Sequence, residues 1–313
     1  MFAIPAVQYA EGHGGLIAYE TFGEGPVDLV YIGAWFQTVE GIWDLPSAER
    51  FFRRLASFAR VVLIDRRGFG LSDPLRSMHP GDDFGLWIEE GVSDVVTVLD
   101  AIGSERAAFV AEGIGATVGI VLAATHPDRV AGLVLVDPVV RLLGADDYPW
   151  GISVGTRERF AESARAGWGD GVLSGVTPSW RGAGPVPSLA HDPEAHRWLA
   201  RWERASHSRG QAYAWWRSMD FDVRSLLPSI RAPTLILHHP SNVLGSPTAA
   251  MDYLVAAIAG AGYAPVGAVR PYSVPSGPLV TSTCSILNTS RDTVPTSRTP
   301  STKMLLEVSK PRM

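Results

Sequence analysis

The chain is poor in several features that would otherwise direct its reading. Among 313 residues there is one cysteine, Cys284, which excludes an internal disulfide and a cysteine-built metal cluster. No metal or other cofactor is expected. Basic residues are outnumbered, 27 Lys and Arg against 32 Asp and Glu for a net charge of −5. With no long Lys/Arg run to meet a phosphate backbone, nucleic acid is not an expected partner. The opening MFAIPAVQYAEGHGG has neither a basic region nor an apolar core, so no secretory signal is read and a cytoplasmic protein is expected. The longest apolar stretch, 107–125, is interrupted by Glu112, Gly113, Gly115 and Gly119. That suits a buried strand and helix better than a membrane span, and no membrane partner is expected. Histidine also runs out early, with none after His239.

What is present alternates. VQYAEGHGGLIAYETFG reads as a hairpin around His13-Gly14-Gly15. DLVYIG (28–33), RVVLID (60–65), 106–111, GLVLVD (132–137) and TLILH (234–238) are short β-rich runs, fit for buried parallel strands. Helix patterns lie between them at PSAERFFRRLASF, 86–102 and 115–125. Repeated βα units of this length predict an α/β fold with a doubly wound, mostly parallel sheet. Residues 1–140 and 229–264 read as this core. Residues 141–228 contain no convincing strand and read as a helical cap inserted into it. Seven of the ten tryptophans fall there (150, 168, 180, 198, 202, 215 and 216). The commoner role for each is to pack a lid onto the sheet; the functional alternative is that some line an apolar pocket beneath it, with a few expected to do both. In 265–313, 22 of 49 residues are Ser, Thr or Pro, which predicts disorder. A natural tail and a shifted reading frame both stay open for that segment.

The runs FFRRLASFARVVLIDRRGFGLSDP, SDVVTVLDAIGSERAAF and HPDRVAGLVL, with HDPEAHRWLARWERASHSRGQAY and DVRSLLPSIRAPTLILH, resemble the α/β-hydrolase superfamily. The likeness is to the hydrolase-like domains that accompany bacterial adenylate cyclases, and it spans about residues 5–245. It implies the α/β-hydrolase fold with a helical cap. Fold alone does not deliver activity, so each catalytic part has to be found in this chain.

In such hydrolases a G-x-S-x-G turn between strand and helix lifts a serine to the substrate. Here those five positions are Ala111-Glu112-Gly113-Ile114-Gly115. The resemblance places the nucleophile fourteen residues before Pro127, which is Gly113. Glycine tolerates the turn's positive φ but offers no nucleophilic oxygen. Gly151-Ile152-Ser153-Val154-Gly155 matches the letters of the motif, yet it follows a turn-rich segment. Gly115-Ala116-Thr117-Val118-Gly119 matches with threonine, but would force glycines into the strand. Ser153 and Thr117 are therefore weak candidates.

The resemblance puts the acid after TLILH, where Asn242 stands. Asp137, ending GLVLVD, is a substitute, although an Asp-Pro pair more often makes a turn. The triad histidine belongs after the last strand, and none is there. His238 and His239 read as strand-end imidazoles. On the oxyanion side the resemblance keeps Gly33, Ala34 and Trp35, with the Ile114 amide as second donor. The Asp65–Asp73 turn reads as a structural tie in which Ser72 is no nucleophile. Two readings follow. One is a non-catalytic module binding a small apolar ligand or a partner domain. The other is a hydrolase of apolar esters or lactones using Asp137, Thr117 or Ser153.

Overall fold

The structure is a computed structural model and describes residues 4–34, 38–44, 46–75, 79–172, 193–239 and 247–265. The predicted hairpin forms from β1 (Gln8–Gly12) and β2 (Gly15–Phe22), with Gly12 opposite Gly15. Next come β3 (Asp28–Ile32), α1 (Pro46–Ala56), β4 (Arg60–Ile64), α2 (Phe84–Ala101), β5 (Ala107–Glu112), α3 (Gly115–Thr125) and β6 (Val130–Val136). An insertion carries α4 (Val154–Gly167), α5 (Pro193–Ser206) and α6 (Arg209–Ser218). The chain then returns through β7 (Thr234–His238), α7 (Thr248–Ala257) and β8 (Gly262–Pro265).

The strands form one eight-stranded sheet in the order β1-β2-β4-β3-β5-β6-β7-β8. β1 with β2 and β2 with β4 are antiparallel, and the rest are parallel. This is the mostly parallel sheet that the βα pattern predicts, in the α/β-hydrolase arrangement that the resemblance implies. α2 starts at Phe84 rather than 86 because the Asp83 side chain caps it, accepting from the Gly85 amide at 2.8 Å. α7 and β8 are additions to the predicted elements. Gly-Tyr-Ala-Pro has little strand character of its own; it is a strand because β7 offers a register, Leu235 to Gly262 through His238 to Pro265.

Both sheet faces are covered, so the strands read as nearly continuous apolar runs. In β5, Ala107, Phe109 and Ala111 pack on the α2/α3 face, while Ala108 and Val110 pack on the α1 face. Small residues bring α3 close to the sheet. A Cβ on Gly119 would lie 3.0 Å from the Ala111 Cβ, and one on Gly115 would lie 2.3 Å from the Gly33 carbonyl oxygen.

The Asp65–Asp73 turn is tied as predicted. Asp65 accepts from the amides of Val39 (2.8 Å) and Leu71 (3.0 Å). The Ser72 hydroxyl accepts from the Ala18 amide at 2.7 Å, and Asp73 from that of Leu16 at 2.8 Å. Buried Arg67 donates Nε to Asp94 at 2.6 Å.

Between β6 and β7, only isolated bridges accompany the helices among the described residues. Trp168, Trp198, Trp202, Trp215 and Trp216 are buried and Trp150 is half-buried, while Trp180 lies outside the described residues. Trp215 packs on Phe84 and Trp87 of α2, at ring-centroid distances of 5.5 and 5.8 Å. The Gly70 amide donates to the Ser206 carbonyl at 3.0 Å, tying α5 to the Asp65 turn. Among the described residues no helix is long and apolar enough to cross a membrane. Residues 266–313 lie outside the described residues.

Candidate active site

The C-terminal ends of β3, β5, β6 and β7 converge on the turn between β5 and α3. Gly113 occupies that turn with φ 55°, a left-handed conformation natural to glycine. Its amide donates to the Val136 carbonyl at 2.9 Å, and its carbonyl accepts from the Val139 amide at 3.2 Å. Ile114 follows, fully buried, at the N-cap of α3. Gly115 then lets the helix start against the Gly33 carbonyl. A glycine therefore stands at the apex of the tight turn that joins β5 to α3.

The two weak serine-like candidates are placed elsewhere. Thr117 is fully buried inside α3, and its hydroxyl donates to the Val139 carbonyl at 2.7 Å. Ser153 is exposed at the start of α4, where its hydroxyl accepts from the Thr156 amide at 3.1 Å. Its G-x-S-x-G letters thus spell a helix cap, and no strand precedes them.

Asp137 directly follows β6 with φ 44°, the one positive φ outside glycine among the described residues. Its carboxylate oxygen Oδ1 lies 2.9 Å from His238 Nδ1 and accepts from the His239 amide at 2.7 Å. Both side chains are buried, and His238 Nε2 has no hydrogen-bonding partner. The sequence reading places His238 at a strand end but misses its pairing with Asp137, which adjacency of β6 and β7 produces. Glu112, just before the turn, accepts from the Tyr31 hydroxyl at 2.6 Å. Burial pushes its carboxyl up to about 7, with the charge of Asp137 adding to the shift.

Gly33 and Ala34 follow β3, Ala34 buried in the core on the α2/α3 side. Trp35 and Asn242 lie outside the described residues. The Gly33 carbonyl accepts a 3.4 Å bond from Nη2 of Arg66, a residue that sequence reasoning passed over. No group of three or more metal-ligating side chains occurs among the described residues.

Comparison with known proteins agrees with this geometry. Residues 40–257 match the family model described as alpha/beta hydrolase fold. The chain is 28% identical over 232 residues, 74% of its length and 82% of the relative's, to a pimeloyl-[acyl-carrier protein] methyl ester esterase of Nitrosospira multiformis. Among solved structures, an esterase from Exiguobacterium antarcticum superposes with TM-score 0.69 at 17% identity, covering 92% of this chain and all (100%) of that one. An enol-lactonase from Burkholderia xenovorans superposes with TM-score 0.65 at 23% identity, over 91% of this chain and 100% of the other. At these identities the structures speak for the fold.

Proposed function

This chain belongs to the alpha/beta hydrolase fold family, and we propose that within it the protein is a non-catalytic binding module. One observation carries the reading: Gly113, with φ 55°, occupies the strand-to-helix turn at which hydrolases of this fold carry the nucleophile elbow. Acyl-enzyme chemistry needs an oxygen or sulfur nucleophile there. Thr117 and Ser153 do not substitute, since one hydroxyl is spent inside α3 and the other caps α4 on the surface. In this reading the helical insertion 141–228 is a cap, and a small apolar ligand sits between it and Gly113 among the aromatic side chains of α2 and α6.

A second reading is favoured by the Asp137–His238 pair. An imidazole oriented through Nδ1 by a carboxylate is the usual form of a general base. If it activates a water on an apolar ester or lactone, the protein is a hydrolase of non-standard mechanism. A panel of 4-nitrophenyl esters of graded chain length separates the two readings. The expected result is no turnover above buffer and no labelling by a fluorophosphonate probe. Turnover abolished by His238→Gln, Thr117→Ala or Ser153→Ala would establish the second reading and end the first.

A further inference from the structure

Arg66 is a buried cation with little to hold it. It is 2% exposed, and its one hydrogen bond is the 3.4 Å contact from Nη2 to the Gly33 carbonyl. Neither Nε nor Nη1 has a hydrogen-bonding partner. The nearest carboxylates are already engaged. Asp65 accepts from the Val39 and Leu71 amides, and both oxygens of Asp94 accept from Arg67. The guanidinium rests instead against aromatic faces, with Cζ 4.8 Å from the Trp87 ring centroid and 5.3 Å from that of Phe69. Such contacts recover only part of the cost of burying the charge.

Its position ties it to the elbow. The Gly33 carbonyl that Nη2 touches is the atom against which α3 starts, 2.3 Å from where a Cβ on Gly115 would lie. Above it, the His207 ring stacks on Phe69 at 4.4 Å. Burial, aided by the charge of Arg66, pushes that imidazole down to about 3, so it adds no positive charge. One permanent cation therefore stands beside the elbow with two donors unmet, walled by Phe69, Trp87 and His207.

We propose that Arg66 is an anion-recognising residue, and that the ligand of this protein is a monocarboxylate with an apolar body. This deepens the binding-module reading and rests on it. The carboxylate accepts from the guanidinium donors in a dry, aromatic site, where charge-assisted bonds are strong and discriminating. The apolar body packs on the rings around it.

The test uses the full chain, with octanoate and octanamide as a charged and a neutral probe of equal length, followed by calorimetry and tryptophan fluorescence. Octanoate is expected to bind at least about tenfold more tightly than octanamide. Arg66→Met should remove that preference and leave octanamide within about twofold. Arg66→Lys, keeping the charge but not the fork, should retain a reduced preference. If Arg66→Met does not fold, the Lys variant and the wild-type preference decide. Equal affinity for the two probes, or full octanoate binding by Arg66→Met, overturns the assignment to Arg66 and leaves the binding-module reading standing. Binding of neither probe overturns the assignment. Hydrolysis of 4-nitrophenyl octanoate alongside an intact carboxylate preference would overturn the non-catalytic reading alone.

Discussion

Arg66 and Arg67 are neighbours in one turn, and each looks into a different region of the molecule. Arg67 faces α2, donates to Asp94 through its side chain and backbone, and reaches Glu90 as well. Arg66 faces the elbow, has one long bond to a carbonyl, and leaves two donors unmet. The α2 side is a closed structural frame in which the polar groups of Arg67, Asp94 and Asp65 find partners. On the elbow side, His238 Nε2 is unpartnered, Glu112 is pushed toward its neutral form and Gly113 stands at the apex. A fold tolerates unmet polar groups where a ligand or reaction once made use of them. The contrast puts the proposed ligand region on the elbow side.

Replacing each arginine by methionine is the sharpest way to break that contrast. Arg67→Met strands Asp94, which is 1% exposed, as an unpaired buried charge. It should lower unfolding stability by about 3 kcal/mol in urea titrations. Arg66→Met keeps the volume, loses the cation–π contacts and relieves a poorly satisfied charge. Its stability should match the wild type or exceed it by about 1 kcal/mol. A loss from Arg66→Met as large as that from Arg67→Met would show that both arginines belong to the same structural frame.

A smaller effect comes from Glu112. Its carboxyl is raised in the folded state from 4.5 to about 7, so the folded protein holds a proton that the unfolded chain releases at lower pH. The two states bind protons equally at low pH. Stability then falls as pH rises from the unfolded value through about 7, and stays low above it. Glu112→Gln should remove this slope and leave the variant about 2 kcal/mol more stable than the wild type on the alkaline side. Glu20 is also raised to about 7, so part of the slope should persist until Glu20→Gln is added. A pH profile unchanged by Glu112→Gln would place Glu112 with the satisfied polar groups.

These residues also show what a sequence can convey. The parallel core was legible because its strands are short β-rich runs between turn signals, and TLILH occupies the predicted 234–238. The glycine at the elbow was legible from its local context, a small apolar strand running into a glycine-rich helix start, together with the count to Pro127 that the resemblance supplies. The Asp137–His238 pair was not, because its members lie 101 residues apart across the insertion and meet only once β6 and β7 become neighbours. Nor was the difference between Arg66 and Arg67, which are the same residue type side by side. Only the path of the turn decides which of them meets Asp94. The raised carboxyl of Glu112 likewise depends on burial and on the charge of Asp137 from β6's end, against which the Tyr31 hydroxyl, brought from β3, pulls the other way.

The smallest expected effect tests the most literal motif in the chain. Ser153 carries the G-x-S-x-G letters, but its hydroxyl accepts from the Thr156 amide and lies 3.0 Å from the Thr156 hydroxyl at the first turn of α4. An N-cap serine stabilises its helix by satisfying an amide that the helix itself leaves open. Ser153→Ala should therefore cost about 1 kcal/mol, and Ser153→Asp, which caps equally well, should restore it. Neither change should alter binding of octanoate or octanamide, because Ser153 is exposed at the N-terminus of α4 and the proposed ligand site lies at Arg66, beside the elbow. The Asp variant is the discriminating one. It preserves a cap and destroys a nucleophilic hydroxyl, so unchanged stability with unchanged binding assigns Ser153 to the helix, whereas loss of an esterase activity in Ser153→Asp alone would move the reactive centre from the sheet to the insertion.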